Sequence, residues 1–488
     1  MEFVRSAAVA ALALCAGLAT AAPMGPDEAR HLLVRTGFGA TPAEIATFAP
    51  LERTEAVDRL LASARREAKL APPAWVDEPY FPFYKLQQLS PEERQAEQRR
   101  NVERGFELRE WWFREMLATD SPLTERMTLF WHNHFATSQQ KVRSGQLVYR
   151  QNLLLRRHAL GNFADLLRGI SKDPAMLIYL DNAGSRRQAP NENFAREVME
   201  LFTLGEGRYT ERDIKEAARA FTGWSLDRDT GEYLYRPFFH DGGTKTVLGR
   251  TGRLGGDDVL DILLERPETA AFVTGKLWRE FVSPAPDPSE VARLAAVFRD
   301  SRYAVQPLLR AMLLSEAFWS PANRGAIIKS PVDLVVGTMH TFGIRPLTMR
   351  PAVTASALLG QNVFSPPNVK GWPGGEAWIN SATLLGRKQL VDRLFRGSDA
   401  MPEAAMAAMG DDRDATPEAR QRRMMSRGLA TYAFDWGRFA RDAGPAAIRG
   451  DGLERVVLAI PPVSPPPAGA SATDLVRHLT ADPAYQLR

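Results

Sequence analysis

The sequence predicts a mainly α protein, a multi-helix globular array with one small β-hairpin insertion. Three observations predict it. Apolar residues recur at helical spacing along most of the chain. Helix-start chemistry precedes several of these runs, as at Thr41-Pro42 and Ser90-Pro91. One stretch alone, near 231–249, has strand character on both sides of a turn. The composition, 44% apolar and 25% charged, is that of an ordinary globular chain.

The N-terminus reads as a secretory signal over residues 1–21. Arg5 is followed by an apolar run from Ala7 to Leu18 and by Ala19-Thr20-Ala21, the small-x-small form that a signal peptidase accepts. That run is shorter than the roughly 20 residues a permanent span needs, and no later run is longer. The sole cysteine, Cys15, lies inside this leader. A mature chain would therefore carry no disulfide, thiolate nucleophile or cysteine-held metal, which suits an oxidising periplasm or extracellular space.

Residues 22–396 read as the main helical domain. Asp27 to Val34 is its first helix, and Thr41 caps the second. Ser90 to Met116 is one long charged helix, followed by Leu123 to Phe135, Gln146 to His158 and Phe163 to Ile170. Asn191 to Thr203, closed by Gly205, precedes Glu211 to Phe221. Glu232–Tyr235 and Lys245–Leu248, separated by Asp241-Gly242-Gly243, are expected to pair as the hairpin. Helices resume from Asp257 to about Phe342. A Pro-, Gly- and Trp-rich loop spans Phe364 to Asn380, and Thr383 to Phe395 is a further helix. Residues 397–430 read as a mobile connection, and 431–488 as a C-terminal segment with a Pro-rich linker at 461–470.

With a net charge of only +4 and interspersed signs, the chain has no nucleic-acid stripe. It also lacks a phosphate-cradling glycine loop, a Gly-x-Ser-x-Gly elbow and a His-Glu-x-x-His helix. What remains are polar clusters. Trp131-His132-Asn133-His134-Phe135 holds two of the seven histidines. Residues two apart on a helix point about 200° apart, so the two rings cannot close on one metal from a regular helix. Either one is buried and hydrogen-bonded beside a surface one, or one faces a cleft and meets acidic groups from another helix. Asn193, Glu197 and Glu200 share one helix face. Carboxylates one turn apart can hold a divalent cation or split into acid and base, although Arg196 can also neutralise Glu200. His240, next to Asp241, suits metal binding, proton transfer or plain turn chemistry. Arg186-Arg187 after Asp181-Asn182 is either an anion site or the flank of a cap. Lys370, Trp372, Trp378 and Asn380 on the late loop either line a substrate wall or plug the loop onto the domain.

Several of these segments together resemble one family, the bacterial domain-of-unknown-function family numbered 1800. They are His31 to Pro42, Trp131 to Phe135, Asn191 to Gly205, Phe221-Thr222-Gly223-Trp224-Ser225, and Ser365 to Ser381. The resemblance implies an exported, mostly helical protein and supplies no catalytic residues. It also implies a companion, an exported family numbered 1501 that resembles sulfatases and alkaline phosphatases. The leading expectation is an exported, metal-assisted enzyme acting on an envelope or extracellular substrate. His132, His134, Glu197, Glu200 and His240 would form its polar centre, with Glu197, Glu200 and His132 as metal candidates. Asn193, Lys370, Trp372, Trp378 and Asn380 would contact substrate. The alternative is a non-catalytic binding or assembly partner of the companion.

Overall fold

Helix starts follow local chemistry closely. The structure, a computed structural model, describes residues 22–346, 348–396, 432–445, 448, 451–467 and 469–488. The leader at 1–21 and the connection at 397–430 lie outside the described residues. Among those described, α1 (Gly25–Thr36), α2 (Pro42–Phe48) and α3 (Arg53–Ala62) come first. Thr41 opens α2 with a capping box to Glu44. The long helix α4 (Pro91–Ala118) starts on the same device, Ser90 with Glu93. Next come α5 (Pro122–His134), α6 (Gln139–Val142), α7 (Gly145–His158), α8 (Phe163–Ser171) and α9 (Pro174–Tyr179). α10 (Glu192–Met199) runs on as a π-turn, Glu200–Leu204, and α11 (Glu211–Ala220) follows.

The strands are where expectation and structure differ. β1 (Trp224–Leu226) pairs antiparallel with β2 (Tyr233–Tyr235), and β3 (Lys245–Val247) with β4 (Arg250–Gly252). The two anticipated strands both form, but each pairs with another neighbour, giving two small hairpins in place of one. Turn chemistry explains this. Asp227 accepts the backbone N–H groups of Asp229 and Thr230 at 2.9 Å each and folds the first turn. Leu248 and Gly249, with φ of 48° and 86°, form a tight turn joining β3 to β4.

The remaining elements are helical apart from one short strand pair. α12 (Gly256–Glu265), α13 (Pro267–Phe281), α14 (Pro288–Asp300), α15 (Val305–Leu313) and α16 (Glu316–Trp319) lead to α17 (Pro331–Thr341). Then come β5 (Arg345–Pro346), α18 (Arg350–Leu358) and α19 (Ser381–Arg396). β6 (Tyr432–Ala433), which pairs with β5, precedes α20 (Trp436–Ala443), α21 (Asp451–Val457) and α22 (Ala472–Ala481). No described helix is long and apolar enough to cross a membrane.

Two apolar clusters form the core. One gathers α1 to α3 with α8 to α16, and the other gathers α4 with α17 to α22. Helices α5 and α7 contribute to both: Leu123, Met127 and Leu155 face the first, Leu129, Leu147 and Val148 the second. At this seam Arg156 grips Glu125 through two bonds, at 2.7 and 2.9 Å, with both side chains at most 1% exposed. The Trp112 indole N–H adds a third bond to Glu125 at 2.8 Å, which ties in α4.

Candidate functional site

Both histidines of α5 are buried, on opposite faces. His132, 1% exposed, packs against Trp112, Phe364 and Trp372. Its Nε2 accepts the Phe364 backbone N–H at 3.0 Å. Burial, with Arg109 adding to it, pushes the imidazole down to about 3, so the ring is neutral. His134 lies among Phe130, Trp131, Phe135 and Phe163. Lys276 Nζ donates to its Nδ1 at 3.1 Å. A lysine only donates, so the ring proton sits on Nε2, which donates to the Phe202 carbonyl at 3.1 Å. Lys276 also reaches the Leu201 carbonyl at 3.3 Å. The π-turn leaves these two carbonyls in need of donors, and His134 and Lys276 supply them. Burial, reinforced by Arg279, brings the Lys276 amine down to about 8.

The carboxylates of α10 lie elsewhere, on a more open face. Arg196 pairs with Glu211 at 2.8 and 2.7 Å and leaves Glu200 alone. Glu200 instead accepts the Tyr209 hydroxyl in a short hydrogen bond. Glu197 is half-buried, and burial together with the Glu200 charge raises its pKa against the pull of Lys370 and Arg196. Asn193 is exposed. Lys370 reaches across to Glu206 at 2.9 Å.

The late loop is latched down. The Trp372 N–H donates to Asn133 Oδ1 at 2.7 Å. Gly371, at φ 82°, lies so close that a Cβ there would stand 2.2 Å from Asn133 Oδ1. The indoles of Trp372 and Trp378 are 4% and 6% exposed, so both plug the loop onto the domain and leave little surface for a ligand. Asn380 caps α19, accepting the Thr383 N–H at 2.9 Å while its own N–H donates to Thr383 Oγ1 at 2.8 Å. His240 is half-buried beside the first hairpin, its Nδ1 3.0 Å from the Thr222 carbonyl, and Asp241 is held by Arg219 at 2.7 Å.

No hydrogen bond or ion pair joins His132, His134, the Glu197–Glu200 pair and His240, because each imidazole is engaged by backbone carbonyls or amides of its own surroundings. Among the described residues no group of three or more His, Cys, Asp and Glu side chains is placed to hold a metal ion.

A different region has the shape of a ligand site. A cleft of about 880 Å³ opens between the loop before α4, the ends of α6 and α9, and the first hairpin. That volume is in the usual range for small-molecule sites. Tyr80, Tyr84, Leu226 and Phe239 give it apolar walls. Lys141, Arg143, Arg186, Arg228 and Arg236 bring five cations to it, against Asp181 and Asp227. Asp181 is paired with Lys141 at 2.6 Å, and Asp227 is occupied in its own turn. Arg186 and Arg228 are exposed, and their side chains make no hydrogen bond or ion pair among the described residues.

Local backbone shape supports the same place. Arg143 and Asp181, with φ of 56° and 61°, are non-glycine residues in the left-handed region, and both line the cleft. Asn182, buried between two lining residues, has no protein partner for either amide atom. The Tyr84 hydroxyl donates to Asp229 at 2.6 Å and ties the two walls together. Tyr179 connects this cleft with the carboxylate face: Lys141 lies 5.7 Å over its ring, and after burial the Glu197 charge is what raises its phenol.

Sequence reasoning singled out Arg186 but missed Tyr80, Tyr84, Lys141, Arg143, Arg228 and Arg236. Arg186-Arg187, with no acidic residue three or four positions away on either side, was the available signal.

The fold and cleft together define a helical protein with a basic, aromatic-walled cleft beside its first small hairpin. The chain belongs to the family of proteins of unknown function DUF1800, which matches residues 31–487. No curated protein and no solved structure matches it.

Proposed function

We propose that this protein is exported and binds an anionic ligand with an apolar or aromatic body, of envelope or extracellular origin, in the cleft beside the first hairpin. The excess of cations over carboxylates around an aromatic-walled cavity supports this reading, with Arg186 and Arg228 left to meet the ligand's charge. Calorimetric titration with phenyl phosphate tests it. Saturable binding is expected to weaken as salt rises, and Arg186→Ala and Arg228→Ala are each expected to lower affinity about tenfold. Binding unaffected by both replacements would refute it. Export is checked separately, by N-terminal sequencing of the periplasmic or secreted protein, which is expected to begin at Ala22.

The carboxylate face favours a second reading, a metal-assisted or acid–base step. Glu197 has a raised pKa beside Glu200, and the pair adjoins a π-turn, a feature frequent at functional sites. Elemental analysis of the purified protein beside Glu197→Gln decides it: a stoichiometric metal lost in the variant supports cation binding. The reading as an assembly partner of a sulfatase-like companion rests on the family resemblance alone.

A further inference from the structure

A second, much smaller cavity, of about 20 Å³, lies between α1, α17 and the last residues of the chain. Arg30, Arg126, Lys329 and Arg488 line it against one carboxylate, Asp333. All five are under a tenth exposed. Isolated charges buried to this degree are costly, so each should be matched by a partner.

The matching is incomplete. Asp333 is engaged by Arg126 at 2.6 Å, by Arg488 at 3.3 Å and by the Ser330 N–H at 3.0 Å. Glu280 takes Arg126 at 3.3 Å and Arg488 at 2.7 Å from outside the cavity. Arg30 is spent on the carbonyls of Val456 and Val457. Among the described residues, Arg126 Nε and Arg488 Nη1 are left over, buried and without a hydrogen-bond acceptor, and Arg488 Nε meets Asp333 only as an ion pair, outside hydrogen-bond geometry. The Lys329 ammonium makes no hydrogen bond among the described residues and rests 3.7 Å from the centre of the Tyr485 ring. Burial, with Arg30, Arg387 and Arg488 against Asp333, holds Lys329 well below its ordinary value.

The space admits one occupant the size of a water molecule. A water would have to place its own two hydrogens on acceptors, and the cationic donors of the walls outnumber their one carboxylate, Asp333. A monoatomic anion only accepts. We propose that this cavity binds one inorganic anion of chloride size, held by Lys329, Arg126 and Arg488 with Arg30 beside them. The site also gives the Gly37-Phe38-Gly39 segment a role. The Gly37 carbonyl takes Arg126, and the Phe38 ring lies 4.4 Å under its guanidinium. Gly39, at φ 79°, walls the cavity where a Cβ would stand 2.7 Å from the Gly337 carbonyl. A wider cavity of about 420 Å³ shares Arg30.

The test uses the whole protein in gluconate buffer, exchanging gluconate for chloride or bromide at constant ionic strength. Gluconate is too large to enter. Each halide is expected to raise the melting temperature saturably, by about 1–2 °C at tenfold excess over its Kd. Lys329→Met, close to isosteric, is expected to fold and to lose that response. An equal melting temperature in all three salts would overturn the proposal, as would a Lys329→Met variant that keeps the halide response. Should that variant fail to fold, anomalous diffraction from bromide-soaked crystals of the unaltered protein decides. A bromide peak between Lys329 and Arg488 supports the site, and a lone water overturns it.

Discussion

His132 shows how a residue can be conspicuous in sequence and structural in the fold. Its neighbours in the chain drew attention to it, but the group that takes its Nε2 is the backbone of Phe364, 232 positions away. No local pattern encodes that partner. The ring is neutral in the fold down to about 3, whereas in the unfolded chain it protonates near 6.5. Below that upper value the unfolded state binds the extra proton, so stability falls with falling pH, by about 1.4 kcal/mol per unit. His132→Asn keeps an acceptor for Phe364 without titrating. Between about pH 6.5 and about pH 5 it is expected to lose about 2 kcal/mol less than the parent chain, measured by urea unfolding at each pH. Gly371 gives a second expectation at this scale. Gly371→Ala places a Cβ against Asn133 in a left-handed backbone, so it should cost more than about 1 kcal/mol and free the late loop, read as faster proteolysis between Phe364 and Asn380.

Helices were legible because their signals are local. Capping boxes at Thr41 and Ser90 and prolines at first turns placed their starts within a residue or two. Strand partners were not legible, because residues 233–235 and 245–247 carry the same alternation whichever neighbour they choose, and the Asp227 and Leu248-Gly249 turns decide. The junction of α4, α5 and α7 was equally invisible, since Glu125 and Arg156 are 31 residues apart and no local pattern links them. Their pairing yields a clear expectation. Arg156→Met strands Glu125 in the core and should destabilise by about 3–5 kcal/mol, whereas Glu125→Leu with Arg156→Met should recover much of that loss. Denaturant midpoints of the two variants separate the outcomes; equal losses would mean that the pair contributes only packing.

Across the whole molecule, five distant segments meet to make the basic cleft: the loop before α4, the ends of α6 and α9, the Arg186 turn and the first hairpin. Each supplies a few residues that are unremarkable alone, which is why the sequence exposed Arg186 and not the site. The near-neutral net charge of +4 hides this concentration of cations on one face. The central claim is that this cleft receives an anion. A crystal structure of the protein with phenyl phosphate tests it most directly. The phosphate is expected between Arg186 and Arg228 with the ring against Tyr80, Tyr84 or Phe239; a ligand seated elsewhere, or a cleft that holds solvent alone at saturating ligand, would contradict an anion-binding role.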